Sequence, residues 1–289
     1  MANKVKSVWF CTSCGNESSK WMGKCPACGE WNTMVEETVA TGKRQNQSAN
    51  VPGKSQKPMP LSEIDSSKES RISLNNNEFD RILGGGIVEG SLVLIGGEPG
   101  IGKSTLSLQI PLMCPELKTL YVTGEESARQ VKLRAARIGG TDSNCLIYSE
   151  TLMENILAEA RGIMPDLMIV DSVQTMFSQN VESSPGSISQ IKETAAQLLR
   201  FAKETGVPVI LIGHITKEGS IAGPKILEHI VDVVLQFEGD NRGTYRLLRS
   251  IKNRFGSTSE LAVFEMTGKG LREVSNPSEM LIPMHDENL

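Results

Sequence analysis

The stretch Gly97-Glu98-Pro99-Gly100-Ile101-Gly102-Lys103-Ser104 constrains this chain more than any other. It fits G-x-x-x-x-G-K-[ST], in which glycines let the backbone curl around an anion and turn successive N–H groups inward. In that arrangement Lys103 reaches the terminal phosphates, the Ser104 hydroxyl ligates Mg²⁺, and Thr105 follows at the edge of the cradle. The flanks agree with this reading. Ser91-Leu92-Val93-Leu94-Ile95-Gly96 is apolar and short, as a buried strand is, and Thr105–Ile110 opens a helix whose N-terminus faces the phosphates. Pro111 inside that expected helix is an oddity, since proline removes a helix hydrogen bond. The expectation is an NTP site that takes ATP and Mg²⁺.

Around the loop the sequence alternates between strand and helix patterns. Phe79, Ile82 and Leu83 have helical spacing, closed by Gly84-Gly85-Gly86. Strands are predicted at 118–123, 145–148, 166–171 and 207–213. Helices are predicted at 127–138, 151–161 and 187–205, the last with Ile188, Ile191, Ala195, Leu198, Leu199 and Ala202 on one face. Four further strands, at 231–237, 244–251, 261–266 and 271–274, follow without helices between them. Parallel βαβ units with an antiparallel extension predict an α/β fold, a mostly parallel twisted sheet with helices on both faces.

Candidate catalytic groups fall at predicted strand ends. Asp171 closes an apolar strand, where a carboxylate can sit beside the phosphate loop and hold Mg²⁺ through water. Hydrolysis needs a group that polarises the attacking water, and Glu125 or Glu126, after the strand that follows the loop helix, can supply it; Glu125 is preferred. His214 ends another strand, in position to sense the γ-phosphate. Beyond it, residues 215–225 carry Lys217, Gly219, Gly223 and Lys225 and read as a loop that orders with nucleotide or nucleic acid. The run 242–254 holds five basic residues and no acidic one. Strand alternation places Arg246, Lys252 and Arg254 on one face and Arg249 on the other, a basic surface for the phosphates of DNA or of a neighbour's ATP.

Four of the six cysteines form a second feature. Cys11-x-x-Cys14 and Cys25-x-x-Cys28 lie ten residues apart, and each pair is followed by a glycine. Two such knuckles turn four thiolates toward one tetrahedral cation; zinc fits best, with rubredoxin-like iron as the alternative, and a closed Cys₄ set predicts a structural role. Trp9, Trp21 and Trp31 are expected to supply the core of this module. Cys114 and Cys145 read as buried free thiols. The expected organisation is a zinc module at 1–35, a flexible linker at 36–70 and a nucleotide-binding domain at 71–289.

The net charge of −4 argues against a uniformly basic nucleic-acid coat, yet residues 1–60 carry +4 and the remainder −8. No apolar run has the length of a membrane span, and Met1–Lys6 has no signal-peptide pattern, so a cytoplasmic location is the expectation.

The order of these motifs resembles one family. The cysteine knuckles, Gly97–Ser104, Gly124-Glu125-Glu126-Ser127, Val170-Asp171-Ser172, Gly213-His214, Ile221–Lys225, Lys252-Asn253-Arg254-Phe255-Gly256 and Asn276-Pro277-Ser278-Glu279 are similar to the RadA/Sms family of bacterial DNA repair proteins. The resemblance implies a RecA-like P-loop ATPase preceded by a small Cys₄ zinc-binding module. It also implies a ring-like hexamer on single-stranded DNA that drives branch migration of recombination intermediates alongside the RecA recombinase. In such rings Lys252 and Arg254 would serve a neighbour's ATP or DNA, and the zinc module would contact recombination partners or DNA. The family continues into a Lon-protease-like domain that the sequence to Leu289 does not contain. A nucleotide-switched scaffold like KaiC, or a zinc-anchored adaptor, is the alternative reading.

Overall fold

Unbroken apolar runs in the central strands decide the architecture, because each of these strands must bury both of its faces. In the computed structural model, which describes residues 5–40, 60–63, 70–140, 143–214, 224–239 and 244–274, the chain begins with a three-stranded ribbon. Its strands are β1 (Val5–Cys11), β2 (Glu17–Ser18) and β3 (Met34–Ala40). After a 3₁₀ turn at Leu61–Glu63 come β4 (Arg71–Ile72), α1 (Asn77–Leu83), β5 (Ile87–Val88), β6 (Leu92–Gly97), α2 (Lys103–Met113) and β7 (Thr119–Thr123). Then follow α3 (Ala128–Ile138), β8 (Cys145–Ser149), α4 (Met153–Ile163), β9 (Leu167–Asp171), α5 (Ile188–Thr205) and β10 (Val209–His214). The last elements are α6 (Pro224–Glu228), β11 (Val233–Gly239), β12 (Tyr245–Asn253), β13 (Leu261–Thr267) and β14 (Gly270–Glu273).

Nine strands form one sheet in the order β14-β13-β12-β11-β6-β10-β9-β7-β8. The six from β8 to β11 run parallel and the other three extend the sheet antiparallel, as the strand–helix alternation predicts. In β6, Leu92 and Leu94 enter one core while Val93 and Ile95 enter the other. Met168 and Val170 alternate with Leu167 and Ile169 in β9 in the same way. Helices α1–α3 cover one face and α4–α6 the other. Pro111 is accommodated in the last turn of α2, which ends two residues later.

Three sequence expectations need correction. Strand β3 runs to Ala40, so residues 36–40 belong to the ribbon and not to a linker; residues 41–59 and 64–69 of that span lie outside the described residues. Trp21 and Trp31 are 57% and 69% exposed and form no core. The ribbon packs Cys11, Cys25 and Met34 against Trp9 and Cys14, and gives Val8 and Phe10 to the main core beside α5 and α6. The third correction concerns the basic run. Lys252 pairs with Val234 and Ser250 with Leu235, so Ile251 is an extra residue. A bulge of this kind reverses which face the following side chains meet. Arg246 therefore lies on the α2 side, with Leu248, whereas Lys252 meets the segment after α6.

Candidate nucleotide site and cysteine cluster

The carboxyl ends of neighbouring parallel strands are where an open α/β sheet binds ligands. Here the ends of β6, β7, β9 and β10 bring together the phosphate loop, Glu125, Asp171 and His214. The loop turns at Gly100 and Gly102, with φ of 75° and 114°, a conformation that only glycine adopts without strain. Gly97 needs its missing side chain for another reason: a Cβ there would come within 2.6 Å of the Phe237 carbonyl. Lys103 is 3% exposed, and its ammonium donates to the carbonyls of Gly97 (2.7 Å) and Glu98 (2.8 Å). Ser104 and Thr105 follow, half-buried, in the first turn of α2.

Asp171 is 3% exposed. Its Oδ2 accepts from the Tyr121 hydroxyl at 2.8 Å, and its Oδ1 has no partner among the described residues. A buried carboxylate oxygen without a donor is costly unless something cationic meets it. This donor set, with the Ser104 hydroxyl, fits a hard divalent cation such as Mg²⁺. The Tyr121 hydroxyl lies 3.3 Å from Arg134, which forms a 2.7 Å ion pair with Glu126. Glu125 is differently engaged. Its Oε1 accepts from Ser172 Oγ at 2.5 Å and meets His214 Nε2 at 3.0 Å. The hydrogen bond from His214, with Ser172 and Lys103 adding to it against burial, lowers its carboxyl to about 2. The two adjacent glutamates are thus distinguished by geometry: Glu126 is neutralised by Arg134, and Glu125 faces the loop lysine. Sequence reasoning missed Tyr121, Arg134 and Ser172. For Ser172 the signal was its place directly after Asp171; the other two come from separate elements and carried none.

Burial pushes the Lys103 ammonium down to about 8, against the opposing charges of Asp171, Glu125 and Glu98. The free protein therefore sheds this proton as pH rises through about 8, and a bound polyphosphate, favouring the charged form, takes it back. Nucleotide affinity is expected to be level below about pH 7 and to fall by up to about tenfold per unit above pH 8, with proton uptake on binding. Titration calorimetry in two buffers of different ionisation heat checks this. Constant affinity to about pH 9.5 would show that Lys103 stays charged throughout.

The basic candidates do not form one surface. Lys217 lies outside the described residues, and Lys225 is described only as a backbone position of α6. Lys252 donates to the carbonyls of Glu228 and, at 2.8 Å, Val231; burial and then Arg254 lower its ammonium. Arg254 pairs with buried Asp232 at 3.3 Å while its side chain stays 54% exposed. Arg246 donates from Nε to the carbonyl of Ile101, in the phosphate loop of its own chain, at 2.9 Å.

In the ribbon, the four cysteine Sγ atoms lie within 4.8 Å of one another, with Cys11–Cys28 and Cys14–Cys25 both at 3.6 Å. A tetrahedral site with Zn–S near 2.3 Å requires about 3.8 Å between sulfurs, so the set fits zinc. Each knuckle closes on its glycine through the same hydrogen bond, Gly15 N–H to Cys11 O and Gly29 N–H to Cys25 O, with φ near 70° at both.

Comparison with known proteins agrees with this geometry. The AAA domain pattern matches residues 59–220, more than half of the chain. The chain belongs to the AAA domain family. A rubredoxin metal binding domain pattern matches residues 9–36, so an ATPase domain follows a four-cysteine zinc-binding module. The chain is 51% identical over 283 residues to the DNA repair protein RadA of Bacillus subtilis, and 46% identical over 285 residues to that of Pseudomonas aeruginosa. These matches take in 96% and 98% of the chain and 62% and 63% of the relatives, so the chain spans a little under two thirds of their length. Among solved structures, a KaiC-like protein of Pyrococcus horikoshii superposes with a TM-score of 0.58 at 23% identity, over 72% of this chain and all of that one. The RadB recombinase superposes at 0.55 and 22%, over 70% of this chain and 99% of that one. At such identities the likeness is one of fold: a RecA-like core. Among the described residues, no helix is long and apolar enough to cross a membrane.

Proposed function

We propose that this chain hydrolyses ATP as a DNA-dependent motor of recombination and repair. The observation that carries the hydrolytic part is the convergence of Lys103, Asp171, Glu125 and His214 on one phosphate loop. In this reading the loop N–H groups and the α2 N-terminus bind the phosphates, and Lys103 exchanges its two carbonyl partners for phosphate oxygens. Ser104 and Asp171 Oδ1 would hold Mg²⁺, which would supply neutralisation of the phosphate charge. Tyr121 fixes Asp171 by its other oxygen. Glu125 orients the attacking water, and His214, sharing its carboxylate, reads the γ-phosphate.

The DNA part rests on the 46–51% identity to proteins named for DNA repair and on the segment beginning at Lys252. Assembly as a ring-forming hexamer, branch migration, action with RecA, and contacts of the zinc module with DNA or recombination partners belong to the same proposal. Arg254, half exposed beyond its Asp232 partner, is the group assigned to a neighbour's ATP or to DNA. Lys252 instead ties the segment after α6 to β12. The test is ATP turnover with and without single-stranded DNA. Stimulation of at least several-fold is expected, and turnover indifferent to DNA would remove the motor while leaving the ATPase.

A further inference from the structure

The phosphate loop is not braced by its own neighbours alone. Ile101 stands between two glycines in left-handed conformations, so the intrinsic preference of this backbone for any one arrangement is weak. What holds it comes from β11 and the antiparallel extension of the sheet beyond it, more than a hundred residues further along the chain. The Phe237 carbonyl packs against Gly97, and Met266 and Leu271 crowd Gly102, where a Cβ would come within 2.8 Å of the Met266 methyl. Gln109 of α2 pairs with the Leu271 backbone twice, donating to its carbonyl at 2.9 Å and accepting from its N–H at 2.8 Å. Arg246 adds a polar contact to the loop itself. Its Nε donates to Ile101 O at 2.9 Å, and its Nη1 is steadied by the Tyr245 carbonyl at 2.9 Å. Opposite it in the sheet is Gly239, where a Cβ would press on the Ile101 side chain at 3.1 Å.

We infer that Arg246 acts within its own chain as a positioning residue for the phosphate loop, fixing the Ile101–Gly102 peptide for nucleotide binding. A trans peptide is planar, with its C=O and N–H pointing opposite ways. Pinning the Ile101 carbonyl toward β12 therefore turns the Gly102 N–H to the other side of the loop. The guanidinium also sets a permanent positive charge beside a site for a polyanion. The inference rests on the loop's being an ATP site. It separates Arg246 from the trans-acting groups, with which its place in a basic run would group it.

The experiment titrates a fluorescent ATP analogue into wild-type protein, Arg246→Ala and Arg246→Lys, without DNA, at concentrations where sedimentation shows a monomer. Loss of a charge-assisted hydrogen bond predicts about tenfold weaker binding for Arg246→Ala, partly recovered in Arg246→Lys. In steady-state turnover, Arg246→Ala should raise KM more than it lowers kcat, a split that general destabilisation would not give; melting curves confirm that each variant is folded. Monomer affinity within about twofold of wild type, or a loss seen only in assembled protein, overturns the inference. If the protein stays assembled throughout, Arg246→Ala is mixed with Lys103→Ala. Regained turnover then shows that Arg246 works in trans and overturns the inference, whereas no gain supports it. Failure of the wild type to bind the analogue would instead sink the nucleotide reading, and this inference with it.

Discussion

Glu125→Gln is expected to bind ATP and fail to hydrolyse it, with single-turnover rates about 10²–10⁴-fold below wild type. Glutamine keeps the shape of the side chain and can still accept from Ser172 Oγ. It cannot carry the charge that polarises water, and it weakens the contact with His214. A carboxyl lowered to about 2 is a poor proton acceptor, so its role is to orient water and place negative charge beside it, not to hold a proton for long. Because the folded value lies below the ordinary 4.5, the carboxylate's contribution to stability is present above that value. It disappears only as pH falls toward about 2. Loss of activity on mild acidification should therefore not trace to Glu125. The companion variant is Glu126→Gln, which breaks the pair with Arg134 but leaves Glu125, Ser172 and His214 in place. If Glu126→Gln proved the slower of the two, the assignment drawn from this geometry would be reversed.

The parts of this site that were readable in the sequence are those carried by a local pattern. Gly97–Ser104 needs particular residue types at fixed spacing, and the apolar runs before Asp171 and His214 need both faces buried, so periodicity exposes them. Contacts between distant elements leave no such trace. Tyr121 looks like one more apolar position of β7 until its hydroxyl is seen on Asp171, and Arg134 like a solvated position of α3. The single extra residue at Ile251 is invisible to alternation, yet it moves Lys252 to the opposite face from Arg246. The aromatic residues of the ribbon misled for a related reason. Tryptophan is commonly buried, but a ribbon held by a metal has too little volume to cover three indoles. It spends its apolar strand face, Val8 and Phe10, on the larger core instead.

That docking makes the ribbon part of the ATPase domain's stability. Removing the metal is therefore expected to reach well beyond the cysteines. The Glu37 carboxylate accepts from the Ile188 N–H at 2.8 Å and from Ser189 at the start of α5, where a negative charge also meets the positive end of the helix. Lys192 of α5 donates to the Gly15 carbonyl and lies over the Phe10 ring, its Nζ 5.6 Å from the centroid. Gly15, with φ of 70°, sits so close to α5 and α6 that a Cβ would stand 2.7 Å from the end of the Lys192 side chain, displacing it, and 3.3 Å from Ile226. A ribbon this small depends on metal binding for its folding, so a chelator, or Cys25→Ser, should unfold it. Exposing Val8 and Phe10 then costs about 3–5 kcal/mol. At roughly 2–4 °C per kcal/mol, the melting temperature of the core should fall on the order of 10 °C. Calorimetry with and without chelator measures this, alongside metal analysis expected to give one zinc per chain. Glu37→Gln should show a much smaller drop with zinc still bound, because only the helix cap is weakened. A core transition that stays in place while zinc leaves would mean that the ribbon and the ATPase domain fold independently. The contacts of Phe10, Gly15 and Glu37 would then contribute little to holding them together.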